Sequence, residues 1–195
     1  MQIDSKPNPS NDSSRQRLSL PMHLRELLEV IVIISLGFGI WSLSQWFGPV
    51  MVPYCIWTVV LCAVLKTFYY FAESLWQLVR ATAEDMPYHR FLMIMAYNMA
   101  EVTISFSVDF CLLQLLAPGS LSGMESDTNI GFILFDCFYF SVLNFSFFGY
   151  GDITPTTIPA KIVMLLEVIT AFTTVIFLIS DFVSMKDSMR RQRRD

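Results

Sequence analysis

Charge is the first thing the sequence lacks. Of its 195 residues only 15% are Asp, Glu, Lys or Arg, where a soluble domain carries about a quarter. With 54% hydrophobic residues and a mean hydropathy of +0.51, this deficit excludes a disordered or nucleic-acid-binding chain and points to a membrane protein. Histidine is almost missing as well. His23 and His89 stand alone, and no Ser–His pair or His/Asp/Glu cluster gives support to an enzyme or a resident metal centre. The four cysteines, Cys55, Cys62, Cys111 and Cys137, lie in apolar stretches without the close spacing of a zinc or redox motif; they read as small buried hydrophobes that stay reduced. No span carries a basic residue at every third position, so a voltage-sensing helix of the usual kind is not expected.

What is present is a series of long apolar runs. Residues 1–20 are polar, rich in Ser, Asn and Pro, and read as a disordered tail. Residues 27–47 are long enough to cross a hydrocarbon core of about 30 Å as a helix, with Trp41 and Trp46 near the far end, where amphipathic rings favour the interface. Gly48-Pro49 makes a turn. A second run begins near residue 50, stays apolar to 65 and continues in helical pattern to about 79. Residues 80–90 form a charged loop broken by Pro87. A third run spans 91–116 and ends at Pro118-Gly119, and a last one spans 159–183 before a basic tail. Eleven of the thirteen basic residues lie before the first run, in the 80–90 loop or after the last run. By the positive-inside rule both termini are cytoplasmic, and four spans satisfy that parity.

Residues 130–152 then fall on the outer side. The stretch is too short to cross and return as two full helices, so it is expected to dip in and come back, as a short helix over 130–147 followed by extended Phe148-Gly149-Tyr150-Gly151-Asp152. Non-helical backbone at membrane depth survives only where protein or a water-filled cavity satisfies it. Alternate glycines allow successive carbonyls to point one way, and an inward-aimed helix presents the negative end of its dipole. Stacked carbonyls can replace the water shell of a cation. Two readings remain open at this point: a cation site in a pore, or a glycine-rich surface turn ending an interfacial helix.

The stretch FDCFYFSVLNFSFFGYGDITP, followed by an apolar helix, resembles the pore domain of tetrameric potassium channels, and more narrowly the two-span channel modules common in bacteria. Asp136, Tyr139, Phe140, Ser141, Ser146, Gly149, Tyr150, Gly151, Asp152 and Pro155 match the family pattern in order, and Lys161 takes the basic position that opens the inner helix. Glu167 and Ala171 fall where such modules often carry an acid and a hinge glycine. The resemblance implies an all-α membrane protein with four transmembrane helices per chain, a re-entrant pore helix and a selectivity-filter loop. The domains would be a cytoplasmic tail (1–20), two N-terminal spans with a loop (21–90), the ion channel pore domain (91–185) and a basic cytoplasmic tail (186–195).

It further implies a homotetramer, since one chain supplies one pore loop and a carbonyl ring needs four. The filter carbonyls would be those of Phe147, Phe148, Gly149, Tyr150 and Gly151, supported by Asp152, Ser146 and Tyr139. Phe172, Val175, Ile179 and Val183, at steps of three or four, would line the cavity of the inner helix. The permeant ion would be K+, with no other metal or cofactor, and the location a plasma membrane, the bacterial inner membrane. At the position of Phe147 the family has a Thr whose hydroxyl also coordinates the innermost ion. Its loss, with Phe148 beside it, leaves an alternative: a non-conducting or weakly selective structural or regulatory subunit of the same fold.

Other polar residues receive plainer readings. Asn98, Glu101, Ser105 and Asp109 share one helical face, expected to pack on the pore helix and inner helix. Lys66 and Glu73, seven apart, are expected to snorkel to the cytoplasmic interface. The two N-terminal spans are expected to pack around the pore domain. The C-terminal RRQRR reads as a stop-transfer anchor with a potential to bind anionic lipid.

Overall fold

The computed structural model describes residues 22–83, 88–124, 129–149 and 151–192. The expected tail over 1–20 and the end of the basic cluster lie outside the described residues, as does Tyr150. Within them the chain is mostly helical. The long elements are α1 (Met22–Phe47), α2 (Val52–Ala83), α3 (Tyr88–Leu116), α4 (Ile130–Phe145) and α5 (Ile158–Gln192). Pro49–Met51 forms a 3-10 turn between α1 and α2, with Pro49 in the first helical position that suits its fixed φ and missing N–H.

Among the described residues three stretches are long and apolar enough to cross a membrane: Pro49–Trp76, Leu92–Leu116 and Ile158–Ser180. The apolar parts of α1 (Ile31–Trp46) and α4 (Ile130–Phe145) are shorter. The expected runs over 50–79 and 91–116 agree with α2 and α3 within about four residues, whereas α1 starts five residues before its expected run and α5 continues nine residues past residue 183 into the basic tail; an apolar run bounded by Pro, Gly or charge marks the apolar core of a helix rather than its full length.

α3 is the centre of the packing. Val102, Phe106, Phe110 and Leu113, at steps of four and three, are at most 1% exposed. α1 lies against α3 through Gly37, whose missing side chain leaves room for Val108 and Leu112; a Cβ there would come within 3.1 Å of both, the close approach that small residues allow between membrane helices. α2 packs on both α3 and α5, with the Phe71 and Phe177 rings 6.1 Å apart across the second interface.

One expectation about a polar residue is corrected. Lys66 does not snorkel. Its Nζ turns inward to Asp109 Oδ2 at 2.5 Å and to the Ser105 carbonyl at 3.2 Å, above the Phe106 ring. On this face of α3, Asp109 and the Ser105 carbonyl meet Lys66 of α2. An ammonium at this depth gains more from a buried carboxylate within reach of its stem than from stretching to water.

Candidate functional site: the segment from α4 to α5

α4 begins with a side-chain cap. Asn129 is in extended conformation, and its Oδ1 accepts the Gly131 N–H at 3.0 Å, one of the amide hydrogens that a helix start leaves without a partner. Cys137, Phe140, Ser141 and Asn144 are buried. Their spacing of three, one and three is that of one helix face. Phe140 meets Phe110 of α3 edge-on at 4.8 Å, and Ser141 Oγ donates toward the Thr103 carbonyl of α3 at 2.8 Å.

The helix ends in a specific way. Phe147 N–H donates to the Asn144 carbonyl and Phe148 N–H to the Leu143 carbonyl, each at 3.2 Å, and Phe147 has φ 58°. This is the Schellman arrangement, in which the residue past the helix end is left-handed and is usually glycine. Phenylalanine there costs about 1–2 kcal/mol. The Phe147 ring packs edge-on against Phe172 of α5, centroids 6.2 Å apart, a contact worth about 0.5–1.5 kcal/mol beyond burial that offsets part of that cost. Two residues on, Gly149 is again left-handed at φ 81°, with nothing near its Cβ position. The chain thus leaves α4 with left-handed residues at alternate positions, and Phe148 between them is 84% exposed.

Beyond the expected filter the chain is held on both sides. A Cβ on Gly151 would lie 3.1 Å from Leu143 and 3.5 Å from the Tyr139 hydroxyl, so Tyr139 stands beside the loop. Ile153 is buried. Residues Thr154–Pro155 (β2) pair antiparallel with Leu121–Ser122 (β1), in the register Leu121 opposite Pro155 and Ser122 opposite Thr154. Thr156 Oγ1 donates to the Gly119 and Ser120 carbonyls. Gly123 has φ 87°, and a Cβ there would sit 1.8 Å from the Asp152 carbonyl oxygen. The segment after α3 therefore clamps the segment that follows Gly151.

α5 is tied to α4 from behind. Glu167 is fully buried; its carboxyl accepts from Ser141 Oγ and, at 3.1 Å, from Asn144 Nδ2. The polar pair at positions 141 and 144, three apart in an otherwise apolar helix, was the available signal for this link. The sequence suggested an acid at 167 but not its partners. Ala171 is buried on the same side.

The remaining expected site residues separate. Asp152 is exposed. Ser146 Oγ donates back to the Val142 and Leu143 carbonyls of its own helix rather than to the loop. Phe172 and Ile179 are exposed on α5, and Val175 is half-buried at the margin of that stripe. The side chain of Val183 lies outside the described residues. Among the described residues no cluster of three or more His, Cys, Asp or Glu could hold a metal ion.

No curated protein and no solved structure matches the chain. Residues 92–186, which carry α3, α4, the loop after it and most of α5, match the model of a family described as an ion channel, and this match on apolar membrane helices supports an ion channel family for the protein.

Proposed function

We propose that the protein is the subunit of a homotetrameric cation channel that conducts potassium. The observation that carries this reading is the loop after α4: left-handed Phe147 and Gly149 alternate with Phe148 between them, the backbone alternation that lets consecutive carbonyls face one axis. In this reading the carbonyls of Phe147, Phe148, Gly149, Tyr150 and Gly151 line the path and replace the water shell of the ion. α4 is the re-entrant pore helix, α3 and α5 are the outer and inner helices, and α1 and α2 complete four spans with both termini cytoplasmic in a plasma membrane. The stripe through Phe172 and Ile179, exposed on α5, faces the cavity in the tetramer with Val175 and Val183. The basic C-terminal cluster meets anionic lipid.

A second reading, a non-conducting regulatory subunit of the same fold, draws on the two phenylalanine rings at 147 and 148, where a hydroxyl ligand would serve the innermost ion. Reconstitution in planar bilayers under a potassium gradient separates the two. In the conducting case Gly149→Ala removes the current while the oligomer still assembles, because a β-carbon penalises φ 81°. Full current in that variant would overturn the carbonyl-filter reading.

A further inference from the structure

The four cysteines are free thiols, and two of them meet. Cys111 stands on α3 and Cys137 on α4, and their thiols share a hydrogen bond. No close cysteine motif announces this pair in the sequence, because the two positions belong to different helices. The packing of α4 on α3 sets the contact. Phe110, the residue before Cys111, holds its ring edge-on against Phe140 with centroids 4.8 Å apart. One turn along α4 from Cys137, Ser141 Oγ donates to the Thr103 carbonyl at 2.8 Å. Both cysteines belong to one core cluster with Phe106, Phe110, Leu113 and Phe140. Cysteines whose side chains point apart cannot be bridged without backbone movement; these two already point at one another.

The other two thiols give an internal comparison. Cys55 and Cys62 both lie on α2, seven residues and about 10 Å of helix apart, too far to link to each other. Within the α3–α4 pair, access is unequal. Cys137 is 0% exposed and Cys111 is 7% exposed. A small uncharged oxidant therefore meets Cys111 first, and Cys137 reacts only with what Cys111 has become.

We propose that Cys111 and Cys137 form a reversible disulfide driven by hydrogen peroxide, which ties α4 to α3. The Cys111 sulfur attacks one peroxide oxygen, the O–O bond breaks, and a sulfenic acid and one water result. The Cys137 sulfur then displaces the sulfenic hydroxyl, which leaves as a second water with the Cys137 thiol proton, and the S–S bond forms. Two thiols and one peroxide give one disulfide and two waters. An external dithiol restores both thiols by exchange. The link is independent of ion conduction and is read without it.

The experiment uses the full-length protein in lipid nanodiscs, with peroxide at a dose that converts exposed Met93 to its sulfoxide. The protein is then unfolded in SDS with N-ethylmaleimide, digested without reductant and read by mass spectrometry. A linked Cys111–Cys137 peptide pair is expected, lost on treatment with dithiothreitol and about tenfold above any other cysteine pairing, since the fold holds these two sulfurs together. Protein unfolded before the peroxide should lose that preference. Cys137→Ser removes the second sulfur, and dimedone should then trap the sulfenic acid on Cys111. Recovery of Cys111 and Cys137 as alkylated thiols from the peroxide-treated wild type would overturn the proposal. A link from either of them to Cys55 or Cys62, as abundant as the link between them, would overturn it as well. Both of these readings need only the wild type, so a folding defect in the Cys137 variant does not blunt them.

Discussion

The Lys66–Asp109 pair makes a prediction that the geometry quantifies. Nζ and Oδ2 are 2.5 Å apart, and the two side chains are 16% and 6% exposed. A surface pair would contribute about 0–1 kcal/mol, but this one is withdrawn from solvent, and removing one member strands the other. Lys66→Met leaves the Asp109 carboxylate without its cation; Asp109→Leu leaves the ammonium with the Ser105 carbonyl and the Phe106 face but without its ion-pair partner. Each single change is expected to cost about 3–5 kcal/mol. The double variant Lys66→Met/Asp109→Leu removes both charges together, so it should lie within about 2 kcal/mol of the wild type, since apolar replacement of a buried pair is often neutral. The coupling energy is then about 4 kcal/mol or more. Stability is read from SDS titration in mixed micelles, followed by far-ultraviolet circular dichroism. Additive costs in the double variant, or single costs below about 1 kcal/mol, a surface-pair value, would refute the assignment of this pair as a buried link between α2 and α3.

Three further outcomes follow from the channel segment. Glu167→Leu leaves Ser141 its bond to the Thr103 carbonyl but strands Asn144 Nδ2, and should destabilise the protein by about 1–3 kcal/mol, measured by the same titration; Glu167→Gln, which keeps one acceptor oxygen, should cost less. Gly123→Ala puts a Cβ on the Asp152 carbonyl at φ 87°, and should lower both the stability and the current in bilayers; unchanged current would mean that this clamp does not shape the loop. On the proposed filter reading, Phe147→Thr supplies a hydroxyl at the innermost position; it also gives up the edge-on contact with Phe172. The expected gain in potassium over sodium is about tenfold, or about 1.4 kcal/mol, read from reversal potentials under bi-ionic conditions; a shift toward sodium would contradict the carbonyl-and-hydroxyl argument.

The sequence alone determined what depends on distance along one chain. The apolar runs that became α2, α3 and α5 are visible because crossing a hydrocarbon layer demands a contiguous length of apolar residues, and Pro and Gly mark their ends without reference to any neighbour. The pattern from Asp136 to Pro155 pointed to an ion channel in the same way, as residue types at fixed offsets, and the family match over 92–186 supports that reading. The tertiary structure decided which faces meet. Helical periodicity put Ser105 and Asp109 on one side of α3 but did not say whether that side faced α2, α4 or α5. Only the packing turned it to Lys66, 43 residues earlier in the chain. The same holds for Glu167 with Ser141 and Asn144, and for Cys111 with Cys137, thiols brought together only by the packing of α4 on α3. Phe147 shows the limit most clearly. Its left-handed backbone contradicts what a phenylalanine prefers locally, and it is held there by the end of α4 on one side and the Phe172 ring on the other, forces that act across the fold and leave no trace in local sequence.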